Sequence, residues 1–221
     1  MSLTYGRRGP DDAKRLVVFL HGYGANGADL LSLADPLAPH LPDTAFIAPD
    51  APDVCTSNPM GFQWFPIPWL DGSSQEAAEA AAAVSVGKLN AFLDERMAAE
   101  RVTATQTVLL GFSQGTMMTL ELAPRRAESF AGLVCFSGRL MRAERLAEDL
   151  VSRSPVLLIH GDRDDVVPFS SMQAAGTALQ SNGFEVFGHV MKGTAHGIAP
   201  DGLQVALAFM RDRLGIEGMP E

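Results

Sequence analysis

The pentapeptide Gly111-Phe112-Ser113-Gln114-Gly115 sets a serine between two glycines, directly after the apolar run Thr107-Val108-Leu109-Leu110 and ahead of a helical stretch. That strand–turn–helix context is what a nucleophile elbow needs. The turn is so tight that side chains two positions to either side of the serine would strike the neighbouring strand or helix, and glycine removes both collisions. The chain holds 21 glycines, yet a G-x-S-x-G should arise only about 0.1 times by chance at such a composition. The chemistry it suits is attack of the Ser113 hydroxyl on an acyl carbonyl, with a covalent acyl intermediate.

A serine hydroxyl is a poor nucleophile without a base. Five histidines are available: His21, His40, His160, His189 and His196. An elbow of this kind runs in chain order serine, acid, histidine, so only His189 and His196 come late enough. His189 falls at the end of an expected strand, where a structural role fits better. His196 sits in Gly193-Thr194-Ala195-His196-Gly197, a glycine-flanked loop before the last helix, and is the chosen base. An acid must orient that ring and stabilise its protonated form. Three carboxylates compete in His160-Gly161-Asp162-Arg163-Asp164-Asp165-Val166-Val167-Pro168. Asp162 suits a loop tie through local hydrogen bonds, and Asp165 should point elsewhere. Asp164 is preferred, although the residues alone leave Asp162 open.

The developing oxyanion needs two converging backbone N–H groups, one after the nucleophile and one in the loop after an early strand. Gln114 supplies the first. Tyr23, between Gly22 and Gly24, supplies the second, since the glycines permit dihedrals that aim an amide inward. A phosphate cradle is the rival for this loop, but it has neither the Lys-Ser/Thr of a P-loop nor G-x-G-x-x-G spacing. No two histidines stand at i, i+4 on an expected helix, and the acidic loop is too short for a calcium site. The expectation is therefore no metal and no cofactor other than water.

Such groups must be carried by a framework. Apolar runs at Leu16–Leu20, Ala45–Ala48, Thr107–Leu110, Leu133–Phe136 and Val156–Ile159 are too continuous for strands with one wet face. Phe184–Phe187 is a weaker sixth. Helices are expected from Ser73, where Ser73-Ser74-Gln75-Glu76 reads as a capping box, with an apolar stripe of Ala77, Ala80, Val84, Ala91 and Phe92. Others should follow Ser113, cover about 142–151, follow Ser170 and run from about 201 to 214. This alternation predicts an α/β fold, a mostly parallel central sheet with helices on both faces, in one domain over residues 1–221. Residues 52–72 break the rhythm and carry both tryptophans. They are read as an aromatic loop over the site, with Trp64, Phe65, Trp69 and Leu70 touching substrate.

Net charge is −9, the wrong sign for a nucleic-acid partner. No apolar run approaches the roughly 20 residues that span a bilayer, so no stable membrane insertion is expected. The first residues lack the apolar core of a secretory signal. Cys55 and Cys135 suggest no disulfide framework, and a cytoplasmic location is expected. A homodimer through the aromatic loop is an open alternative, since exposed aromatic patches often mark contacts.

Taken in order, Leu20-His21-Gly22-Tyr23-Gly24, Gly111-Phe112-Ser113-Gln114-Gly115, Phe136-Ser137-Gly138, His160-Gly161-Asp162-Arg163-Asp164 with Val167-Pro168, and His196 resemble the phospholipase/carboxylesterase family of α/β-hydrolases, the branch that includes acyl-protein thioesterases. The match runs roughly from Leu16 to Leu214. It implies an α/β-hydrolase fold without a large cap domain, a triad of Ser113, Asp164 and His196, and an oxyanion hole at Tyr23 and Gln114. It thereby favours Asp164 over Asp162. Two positions depart from the family pattern: Trp64-Phe65 is followed by Pro66 rather than an aspartate, and Asp165 stands where many relatives carry proline or an apolar residue. The resulting expectation is a serine carboxylesterase acting on small-molecule esters of short to medium acyl chains. A thioesterase or lysophospholipase of long acyl chains is the nearer alternative, and a hydrolase-fold binding protein without turnover the remote one.

Overall fold

Along each central strand, alternate side chains enter two separate cores. Leu16, Val18 and Leu20 face one, whereas Val17 and Phe19 face the other. Both faces of the sheet are dry, so the strands read as unbroken apolar runs rather than as an alternation. Each leucine or valine buried in this way contributes about 1.5–3 kcal/mol.

The computed structural model describes residues 3–217, and residues 1–2 and 218–221 of the expected 1–221 domain lie outside that range. In chain order the elements are β1 (Tyr5–Arg8), β2 (Arg15–Leu20), α1 (Gly27–Leu31), α2 (Ala34–Leu37), β3 (Thr44–Pro49), β4 (Asp53–Val54), β5 (Phe62–Gln63), α3 (Pro68–Asp71), α4 (Gln75–Glu100), β6 (Thr107–Phe112) and α5 (Gln114–Leu122). Then follow β7 (Gly132–Phe136), α6 (Leu146–Asp149), β8 (Val156–Gly161), α7 (Ser170–Ser181), β9 (Val186–Met191) and α8 (Pro200–Arg213). The main sheet has the order β1-β3-β2-β6-β7-β8-β9. Only β1 pairs antiparallel, against β3; the other neighbours are parallel. Residues of α4, α5 and α7 close one face and those of α1, α2 and α8 the other. This is the mostly parallel α/β architecture that the sequence pattern predicts, and it agrees with the α/β-hydrolase fold that the resemblance implies.

Several boundaries differ from expectation for definable reasons. The edge strand β1 went unseen because Tyr-Gly-Arg-Arg is polar; Arg7 turns to Glu100 on α4 instead, Nε to Oε1 at 2.7 Å. The last strand starts at Val186, where its register with Val156 of β8 begins, and Phe184 drops into the core. The long helix is capped by Ser74, whose hydroxyl accepts the Ala77 N–H at 3.0 Å, and not by Ser73. Its buried stripe is Ala78, Ser85, Leu89, Phe92, Leu93 and Met97, while Val84 is 58% exposed. Alanines on every side of its first half leave the periodicity with little contrast. The stretch expected to be helical over 142–151 shortens to a 3₁₀ turn, Ala143–Arg145, followed by α6. Residues 52–72 are not structureless either: β4 and β5 form a small hairpin, and α3 follows it.

Candidate active site

From β2 the chain steps to β3 on one side, then returns past β2 to β6 on the other. A crevice forms at the carboxyl ends of strands where the winding reverses in this way. Leu20 pairs with Gly111, so residues 21–24 and 112–114 leave the sheet side by side.

Ser113 occupies the crevice at φ 54°, ψ −113°, a strained conformation for a residue with a side chain. Its surroundings explain the flanking glycines. A β-carbon at Gly115 would overlap the Leu20 carbonyl oxygen, and one at Gly111 would stand 2.5 Å from the Gly115 carbonyl carbon. The Ser113 N–H donates to the Phe136 carbonyl at 2.9 Å, fixing the turn on β7. The glycine loop after β2 lies directly against the elbow: a β-carbon at Gly22 would be 3.2 Å from that of Ser113. Among the described residues, neither the Tyr23 nor the Gln114 N–H donates to a protein acceptor. Two free donors therefore flank the serine.

Asp164 and His196 meet as expected. Nδ1 of His196 is 2.8 Å from Asp164 Oδ2, and Oδ1 accepts the N–H groups of Val166 at 3.0 Å and Val167 at 2.9 Å. Burial opposes the charge on Asp164, but the His196 bond and the Val167 N–H outweigh it and hold the carboxyl below its ordinary pKa. The His196 ring packs on Phe112, next to the serine, with centroids 4.9 Å apart. Among the described residues, Ser113 Oγ and His196 form no hydrogen bond; such catalytic contacts are often long until substrate tightens them. Asp165 is exposed. Asp162 does tie a loop, though not a local one: its Oδ1 accepts the Gly193 N–H at 2.6 Å, joining the acid loop to the segment that carries His196.

The Gln114 side chain does work that its sequence position did not announce. Its Oε1 accepts the Trp64 N–H and its Nε2 donates to the Phe65 carbonyl, both at 2.8 Å. Trp64 Nε1 in turn donates to the His21 carbonyl at 3.0 Å. His21 Nε2 accepts the Ala51 N–H at 2.9 Å, so its proton is assigned to Nδ1, which donates to the Gly22 carbonyl at 2.7 Å. Burial lowers the His21 pKa. The neutral ring braces the loop that offers Tyr23. The signal for His21 was its place at the end of an apolar strand, before Gly22.

Next to Phe65 a cavity of about 320 Å³ opens between the aromatic segment, the start of α4 and residues 139–144. Phe65 and Trp69 line it, with Ile67, Ala82, Leu140 and Met141, whereas Ser113 is not part of its wall. The expected substrate contact of Trp64 is corrected: the ring is 0% exposed, locked under the Gly22 loop, and has no surface to offer. Leu70 is corrected too, being 57% exposed and outside the cavity wall. The wall at residues 139–144 was not foreseen, because it follows β7 with no apolar pattern. Arg142 there pairs with the buried Glu121 of α5, and the Arg139 guanidinium sits 5.8 Å from the Trp69 ring centroid. No helix among the described residues is long and apolar enough to cross a membrane.

Comparison with known proteins fits this geometry. The sequence pattern of a family described as Phospholipase/Carboxylesterase matches residues 7–214. Esterase YpfH of Escherichia coli (strain K12) is 27% identical over 199 residues, spanning 90% of this chain and 83% of that protein. Acyl-protein thioesterase 1 of Eremothecium gossypii is 30% identical over 217 residues, 93% of this chain and 90% of its own length. The crystal structure of esterase PE8 superposes with a TM-score of 0.91 at 40% identity, covering 97% of this chain and 100% of that one.

Proposed function

The chain belongs to the phospholipase/carboxylesterase family, and on that premise we propose that it is a serine carboxylesterase whose triad is Ser113, His196 and Asp164. His196 takes the Ser113 proton as the hydroxyl attacks an ester carbonyl. The oxyanion is held by the Tyr23 and Gln114 N–H groups, each worth about 3 kcal/mol in the transition state. His196 then protonates the leaving alcohol, and a water molecule repeats the sequence on the acyl-enzyme. The observation that carries the reading is the pairing of a strained serine at φ 54° with a histidine whose far side is bonded to a buried carboxylate at 2.8 Å. A serine hydrolase of this kind and a small-molecule ester partner agree with the esterases it resembles.

The acyl group is assigned to the cavity beside Phe65 and Trp69. Ligand pockets span roughly 300–1,000 Å³, so a volume of about 320 Å³ suits short to medium chains. Long-chain thioesters are the second reading, supported by the name of the Eremothecium relative and by the exposed Trp69 in the cavity wall. The test is kcat/KM on p-nitrophenyl esters of two to sixteen acyl carbons, with Ser113→Ala alongside. Each buried methylene adds about 0.8 kcal/mol, roughly fourfold per carbon until the cavity ends. A maximum at short to medium chains with no turnover in Ser113→Ala is expected. A rise beyond twelve carbons selects the long-chain reading, and undiminished turnover in the variant removes the mechanism.

A further inference from the structure

One buried titratable group beside the triad has no part in the mechanism above. His160, next to the end of β8, is 2% exposed in its side chain. Its Nε2 is 2.8 Å from the Val167 carbonyl oxygen and 3.2 Å from Asp164 Oδ2. A carbonyl can only accept, so Nε2 carries hydrogen and donates it to Val167, and that N–H stands beside Asp164 Oδ2. Asp164 Oδ2 is the same atom that receives the His196 N–H at 2.8 Å. One carboxylate oxygen therefore takes the hydrogen bond of His196 with the His160 N–H close beside it, while the Val166 and Val167 N–H groups occupy the other.

We infer that His160 is a positioning residue: its N–H, held by the Val167 carbonyl beside Asp164 Oδ2, partly screens the carboxylate and tempers how firmly it holds the protonated base. The inference rests on the triad reading. Its surroundings leave few other partners. The hollow beside the ring is lined by Thr116 and Leu120 of α5, Cys135 of β7, and Met172 and Ala175 of α7. None of those is charged, and burial pushes the Cys135 thiol up, so it stays protonated. The Phe169 ring meets the imidazole edge-on at 6.0 Å. Asp164 is the charged group that His160 faces.

A carboxylate with one N–H dipole fewer beside it acts more strongly on its remaining partner, and that base keeps a proton to higher pH. The experiment compares His160→Gln with His160→Asn. The glutamine amide nitrogen reaches the place of Nε2, while that of asparagine stops at the place of Nδ1 and cannot reach Asp164. Active sites are counted by fluorophosphonate labelling, and kcat/KM for a p-nitrophenyl ester is followed from pH 5 to 8. The acid-limb midpoint should rise by about half a unit or more in His160→Asn and stay near wild type in His160→Gln. His160→Leu gives the same donor loss should the asparagine variant not fold. A midpoint common to all the variants, or one that falls on losing the donor, overturns the inference whatever happens to turnover. Failure of the triad reading is distinct: the wild-type enzyme itself then shows no acid limb or no labelling at Ser113.

Discussion

The ring of backbone around Ser113 and the aromatic segment joined to it through Gln114 are built by opposite means. In the ring, position is set by close approach and buried hydrogen bonds: Gly115 against Leu20, the Ser113 N–H on Phe136, and Asp164 with no exposed side-chain surface. In the aromatic segment the two halves part company. Trp64 and Phe65 are stapled to the ring through Gln114 and His21, while Trp69 is 70% exposed and is met by the Arg139 guanidinium. Chemistry that tolerates little displacement is thus fixed by main-chain sterics. On the proposed function, substrate choice falls to the exposed side chains of the second half.

Breaking the ring should cost most. Asp164→Asn keeps the shape but removes the charge that stabilises the imidazolium, and kcat should fall by about 10⁴ with little change in KM. Single-turnover kinetics on a p-nitrophenyl ester checks this, and a loss below tenfold would move the acid to another residue. Cutting the staple should cost less. Gln114→Leu leaves the buried Trp64 N–H and Phe65 carbonyl without partners, at about 1–3 kcal/mol each, while its own backbone N–H survives for the oxyanion. Urea melts should show the lost stability, and the acyl-length profile should blur because Phe65 is no longer anchored.

This division also explains what the sequence revealed. The elbow, the Asp164 loop and His196 were legible because their sterics demand specific residues: glycines at 111 and 115, and a carboxylate and an imidazole in fixed chain order. The central strands were legible because burial on both faces leaves long apolar runs. Trp64 misled because tryptophan in an irregular stretch reads as a contact for ligand, and nothing local says that its ring lies under the Gly22 loop. Gln114 was noticed for its amide alone, since the partners of its side chain are about 50 residues away in sequence. Residues 139–144 form a wall only because β7 delivers them opposite α4.

A smaller effect tests the rigidity of the bracing. His21 is held neutral by burial, against the weaker pull of the Gly22 carbonyl and of Asp50 and Asp29. Its folded pKa lies below the unfolded one, so the unfolded chain takes up a proton that the folded chain refuses. The stability that His21 contributes is then complete above about pH 6.5 and is lost as pH falls below it toward the folded pKa. His21→Gln can still accept the Ala51 N–H but cannot titrate. Melting temperatures from pH 7.5 to 5 should fall less steeply in the variant than in wild type, and parallel slopes would mean that the ring takes its proton without opening the loop.

The smallest change should come from the free half of the aromatic segment, which is where the contrast is sharpest. Trp69→Ala removes a cavity-lining ring and the partner of Arg139, but no hydrogen bond connects that ring to the Ser113 turn among the described residues. Hydrolysis of p-nitrophenyl acetate, whose acyl group is too short to extend along the cavity, should stay within about threefold of wild type. Medium-chain esters should lose about fourfold for each methylene that no longer finds a wall. Phe65→Ala offers the counterpart on the stapled half, where lost packing reaches the Gln114 clasp and even acetate hydrolysis should drop about tenfold. Equal losses in the two variants across all chain lengths would erase the distinction between a rigid half and a selective half. A loss confined to long chains in Trp69→Ala alone would locate the selectivity of this esterase at the part of the cavity wall that Trp69 and Arg139 share.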